Sequence, residues 1–193
     1  MIKNKIDQYA EEIYIQNRAA GWWPENPDER DLFTCLQLVS TEVAEATEGL
    51  RKDLMDDHLP QYKMEAVELV DALIRVLDLG GYWMSKFKDF RFVDMPHHPW
   101  CDINESAGKQ HLGLNKEIIT LADQWNWVLL YPTKQHTKSS LSLDYSALIA
   151  SILQVTSNKR YPVEEILLAK REYNARRADH KLENRAKDGE KKF

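Results

Sequence analysis

Glu42 and Glu45 stand three residues apart in the stretch LQLVSTEVAEATEGLRKD, and Glu68 and Asp71 stand three apart in MEAVELVDALIRVLDL. Residues at i and i+3 project from one side of an α-helix, so each pair makes a two-carboxylate face. Glu65 extends the second face by one more step. Two such helices side by side would gather four acidic oxygen donors. Like charges brought together and buried are costly or shift upward in pKa, so a fold tolerates them mainly where a cation neutralises them. Oxygen-only ligands suit Mg²⁺ or Mn²⁺ rather than zinc.

These residues need helices to position them, and the pattern supplies helices throughout. Ile2, Ile6, Tyr9, Ile13 and Ala20 recur at helical spacing, which predicts a first amphipathic helix over residues 2–20. GWWPENP breaks it. Trp22 and Trp23 are open to two readings, a stacking surface for a nucleobase or a large apolar plug over the core. A second helix is expected from about Asp28, a candidate N-cap, to Asp53, with Leu32, Cys35, Leu36, Val39, Val43, Ala46 and Leu50 as its apolar stripe. Glu42 and Glu45 fall at the edge of that stripe, where a carboxylate can look into a cleft between helices.

A third helix is expected over residues 61–82. Its wide apolar arc marks it as the central, most buried one, with Glu65, Glu68 and Asp71 along one side. Beyond it FVDMPHHPWCDINES reads as a loop. The adjacent His97 and His98 there do not share a direction or continue into a ligand spacing, so a metal reading is disfavoured. HLGLNKEIITLADQWNW reads as a fourth helix, YPTKQHTKSSLS as a loop and LDYSALIASILQVTSN as a fifth helix. The expectation is one all-α domain spanning residues 1–193.

The composition excludes several classes. Of 193 residues 43% are apolar and 30% charged, an ordinary globular balance. A net charge of −5 argues against a general nucleic-acid binder. No apolar run is long enough for a membrane span, and the start MIKNKIDQYAEE lacks the apolar stretch of a signal peptide. Two cysteines, Cys35 and Cys101, make no disulfide framework. A reducing cytoplasm is the expected location.

The ExxE pair followed on the next helix by ExxD, here Glu42, Glu45, Glu68 and Asp71, resembles the signature of the MazG-like all-α nucleoside triphosphate pyrophosphohydrolases. That superfamily takes in dimeric dUTPases, dCTP pyrophosphatases and phosphoribosyl-ATP pyrophosphohydrolase. The C-terminal stretch is similar to the family's closing helix, a KxxxNxxR pattern with a glycine and an aromatic terminus: Lys170, Asn174, Arg177, Gly189 and Phe193. Lys170, Asn174 and Arg177 share one helical face and can grip a polyphosphate; the competing reading is an exposed basic helix end.

The resemblance implies a helical bundle that uses Mg²⁺, with Mn²⁺ as a substitute, to hydrolyse (deoxy)nucleoside triphosphates to the monophosphate and pyrophosphate, clearing the nucleotide pool. It implies metal ligation by Glu42, Glu45, Glu68 and Asp71. Glu42 is the first candidate for the base and Glu65 the reserve. Substrate contacts are expected from Lys170, Asn174, Arg177, Trp22 and Trp23. An internal echo lays LGLNKEIITLADQW on LQLVSTEVAEATEG and SALIASILQV on VELVDALIRV, setting Ile118, Leu121, Ala147 and Ala150 against the four acids. It is read either as a tandem duplication, with repeats 1–95 and 105–193 and a degenerate second half, or as a product of apolar periodicity alone. A homo-oligomer, dimer or tetramer, is implied unless the duplication supplies the partner internally.

Two other readings stand beside it: a non-catalytic helical nucleotide-sensing or interaction module, and phosphoribosyl-ATP hydrolysis. A di-iron bundle is disfavoured because no histidine follows these glutamates at i+3.

Overall fold

The computed structural model describes residues 2–131 and 135–176. They form six α-helices with no strand among them: α1 (Ile6–Ala19), α2 (Leu32–Lys52), α3 (Met64–Lys86), α4 (Ala107–Leu130), α5 (Gln135–Asn158) and α6 (Val163–Arg176). None of these helices is long and apolar enough to cross a membrane.

Each early boundary has a local cause. Residues 2–5 form a 3₁₀ turn leading into α1, whose core face is Ile6, Tyr9, Ala10, Ile13 and Tyr14. Gly21, at φ 73°, ends that helix, with its N–H bonded to Arg18 O and the Trp22 N–H to Asn17 O. The N-cap of α2 is Asp31 and not Asp28: its carboxylate accepts from the backbone N–H of Phe33 and Thr34 at 3.0 and 3.1 Å. Asp28 lies instead in a short 3₁₀ turn after Pro27, where it receives the Tyr82 hydroxyl and the Lys86 ammonium.

α3 begins at Met64, three residues later than the pattern suggests. The connector before it folds back, with Met64 N–H donating to Leu54 O and Asp56 N–H to Tyr62 O. α3 then runs through the middle of the protein, buried on most of its circumference, and packs on α1, α2, α5 and α6. Adjacent glycines allow two of these approaches. A Cβ on Gly81 would sit 2.4 Å from Ala10 O of α1, and one on Gly80 would sit 2.0 Å from the Tyr145 hydroxyl oxygen of α5.

α4 is capped by Ser106, which accepts from Lys109 N–H. α5 starts at Gln135, inside the stretch read above as a loop. No glycine or proline follows Pro132 there, so nothing prevents the helix from reaching back. Its serines hold the segment after α3 in place. The Ser142 hydroxyl donates to Arg91 O at 2.5 Å, while Ser146 Oγ and Ser151 Oγ accept from Val93 and His98 N–H at 2.9 and 2.8 Å. His98 Nδ1 in turn accepts from Trp100 N–H, a local turn contact. Cys35 and Cys101 are both free and buried.

Candidate metal centre

α2 supplies Glu42 and α3 supplies Glu68 and Asp71 to one spot, where one carboxylate oxygen from each lies within 4.8 Å of the others. Glu42 and Glu68 are 6% and 8% exposed, and the Asp71 side chain 17%. Two cations reach this cluster. Lys170 of α6, itself buried, places Nζ 2.7 Å from Asp71 Oδ2, and Arg75, one turn along α3, places Nε 2.5 Å from Glu42 Oε1. Among the described residues three carboxylates therefore face two cations, and Glu68 is the one in no ion pair. Burial, reinforced by the charge of Asp71 and Glu42, pushes Glu68 up to about 9. Burial also raises Asp71, to about 6, against the pull of Lys170. Burial disfavours the Lys170 ammonium, but Asp71 and then Glu68 outweigh it, and its pKa is raised.

Glu45 is not in this set; it is exposed. An i+3 step falls about 60° short of a full turn. Glu42 already sits at the margin of the Val39, Val43 and Ala46 stripe, so the next step carries Glu45 further from α3. On α3 the same step leaves Asp71 within reach of its neighbours, because α6 packs over that side.

Glu65 belongs to a different arrangement. Its Oε1 and Oε2 take Lys159 Nζ at 2.7 and 2.8 Å, and Oε2 also accepts from the Tyr161 hydroxyl at 2.6 Å. His111 Nε2 lies 3.2 Å from Oε1, and its Nδ1 is 2.7 Å from Thr47 Oγ1. Burial alone would raise the Glu65 pKa, yet the nearby His111 ring and the bonds from Lys159 and Tyr161 bring it below the ordinary value. A carboxylate so held is a structural tie between α3 and the second half of the chain and a poor proton acceptor.

Trp23 is buried: its indole N–H is shared by both oxygens of Asp78, at 3.0 and 3.1 Å. Its ring stacks on Tyr82 with centroids 5.0 Å apart, and the Arg30 guanidinium lies over it at 4.9 Å. Of the two readings of the tryptophans, Trp23 takes the plug. Trp22 is half-buried and packs against the same core. Asn174, one turn beyond Lys170 on α6, has a buried Oδ1 without a hydrogen-bond partner among the described residues. Next to it Tyr173 stacks on His58 of the connector, with centroids 4.7 Å apart. Arg177, together with Gly189 and Phe193, lies outside the described residues.

Sequence reasoning missed Arg75, although its place four residues after Asp71 on the same helix was visible. It also missed Lys159, Tyr161 and His111, which reach Glu65 only through the tertiary fold. Compared with known proteins, the chain matches no family model, no curated protein and no solved structure.

Proposed function

We propose that the protein is a hydrolase that uses a divalent metal ion to cut nucleoside triphosphates, deoxy or ribo, to the monophosphate and pyrophosphate. The observation that carries this reading is geometric: Glu68 is a buried carboxylate within 4.8 Å of an oxygen of Glu42 and of Asp71, and it is in no ion pair among the described residues. Such a site lacks one positive charge, and its donors are all hard oxygens, which fits Mg²⁺ and also Mn²⁺. Glu42, Glu68 and Asp71 would hold the ion, with Glu45 at most an outer contributor.

When bound there, Mg²⁺ supplies charge stabilisation to the phosphate oxygens. The chain supplies the rest. Glu42, the first acid of the set, would take a proton from the attacking water through the oxygen that Arg75 does not hold. Lys170 reaches the cluster from the opposite helix and offers its ammonium to the polyphosphate. Asn174 Oδ1 is an acceptor, so it suits a sugar hydroxyl or a base N–H rather than a phosphate oxygen. Removal of unwanted nucleotides is the role that fits this chemistry. A homo-oligomer is supported by the exposed Leu112, Ile119 and Leu130 of α4.

The test is pyrophosphate release on a panel of nucleotides, with Mg²⁺ and with EDTA, comparing wild type and Glu68→Gln. Metal-dependent turnover lost in the variant supports the proposal, and equal rates in the two proteins refute it. A nucleotide-sensing module is the second reading. It is favoured by the fact that Lys170 and Arg75 already neutralise two of the three acids. Nucleotide binding without pyrophosphate release would select it.

A further inference from the structure

A cleft of roughly 610 Å³ opens where the N-terminal turn, the end of α5 and the start of α6 meet. None of the three clustered carboxylates lines it. Its size lies in the range of small-molecule sites, roughly 300–1,000 Å³. Met95, Ala150, Leu153 and Val163 give it an apolar lining, and His97 and Arg160 are its polar contributors of interest.

The charges around this cleft are not equivalent. Glu164 is taken by Lys5 and the Tyr9 hydroxyl at 2.7 and 2.8 Å, and Glu165 accepts from the Tyr62 hydroxyl. Lys3 is paired with Asp94 at 2.8 Å. The Arg160 guanidinium is exposed and in no hydrogen bond or ion pair with the described residues. Its backbone is unusual as well. Arg160 closes α5 at φ 57°, with its own N–H on Ser157 O and the Tyr161 N–H on Thr156 O. That left-handed position after a helix is where glycine is preferred, and an arginine occupies it at a conformational cost. A strained, unpaired arginine at the edge of an apolar cleft points to a ligand with a negative head.

We propose that this cleft is a second small-molecule site, separate from the carboxylate cluster. It takes a small organic anion whose apolar or aromatic body lies against Ala150 and Leu153 and whose acid head meets Arg160. Both a carboxylate and a phosphate monoester present that chemistry.

The test is calorimetric titration of the full chain in EDTA with benzoate and with phenyl phosphate, the two arms that distinguish the head groups. Benzyl alcohol and inorganic phosphate serve as half-ligands. At least one of the two anions should bind with a stoichiometry of one, and each half-ligand at least tenfold more weakly. Arg160→Gly should weaken binding tenfold or more while its melting temperature stays level or rises, because glycine relaxes the φ. Arg160→Lys should retain part of the affinity. Failure of both anions to bind wild type, or unchanged binding by Arg160→Gly, overturns the proposal. So does loss of binding in Lys170→Met with retention in Arg160→Gly, which would put the anion at the carboxylate cluster.

Discussion

Lys170 Nζ and Asp71 Oδ2 lie 2.7 Å apart with both side chains largely withdrawn from solvent. An ammonium from α6 thus occupies a flank of an acidic cluster made by α2 and α3. The pair offsets a charge that would otherwise stand unpaired in a poorly solvated place. It also sets a cation of the chain against any ion that binds there.

The first expectation concerns that competition. Lys170→Met removes one resident cation and leaves the three acids with Arg75 as their one cation among the described residues. Mg²⁺ should then bind about tenfold more tightly, about 1.4 kcal/mol, by isothermal titration. Pyrophosphate release should fall, because the phosphate loses its ammonium. Weaker Mg²⁺ binding in the variant would show that Lys170 supports the metal and does not oppose it.

Substitution of the individual acids should separate their roles. Glu68→Gln is expected to lower turnover by about a hundredfold or more, roughly 3 kcal/mol of barrier. Glu45→Gln should have a much smaller effect, since Glu45 is exposed and outside the convergent set. Equal losses at the two positions, measured as kcat, would mean that Glu45 joins the site when substrate binds.

The apo protein should become less stable as the pH rises. Glu68 is raised from 4.5 to about 9, and Asp71 and Asp78 are each raised from 3.8 to about 6, in all cases chiefly by burial. Between the unfolded and folded values the native state binds more protons than the unfolded chain, so raising the pH favours unfolding. Melting temperature in EDTA should therefore fall from the unfolded carboxyl range up to pH 6, and continue to fall towards 9 on account of Glu68. Glu65 has the opposite sign: its pKa is lowered, so its contribution is present above 4.5 and lost on acidification. Mg²⁺, which favours the ionised cluster, should flatten the alkaline slope. A slope identical with and without Mg²⁺ would argue against metal binding at these acids.

Glu65→Ala should destabilise the fold without removing the site. It strands Lys159 and the Tyr161 hydroxyl, which both bond to the buried Glu65 carboxylate. Breaking a buried pair costs about 3–5 kcal/mol, and the partial exposure of Lys159 points to the lower end. Urea denaturation would measure this, and Mg²⁺ affinity should be unchanged.

Gly80→Ala probes the crossing of α3 with α5. The added Cβ would stand 2.0 Å from the Tyr145 hydroxyl oxygen, so the helices or the phenol must shift. A loss of about 1–3 kcal/mol is expected, as for other overpacked cores. The double variant Gly80→Ala with Tyr145→Phe should recover only a small part of it, because the ring carbons Cζ and Cε2, at 2.4 and 2.8 Å from the added Cβ, remain in the way.

The helical character of the chain, the central place of α3 and the pairing of Glu42 with Glu68 and Asp71 were legible in the sequence, because apolar periodicity and i, i+3 spacing are properties of a single helix. What spacing could not decide was how far round each helix the neighbouring elements reach. That left Glu45 grouped with Glu42 although a 60° step separates them on the wheel, and it left Glu65 grouped with Glu68 although Lys159 and Tyr161 claim it. Lys170 could be placed on a helical face but not matched to Asp71, which lies far away in the chain. Local sequence determines which way a side chain leaves its own helix. Which charge it then meets depends on the packing of helices remote in sequence, and that packing decides whether a carboxylate is free, paired or raised in pKa.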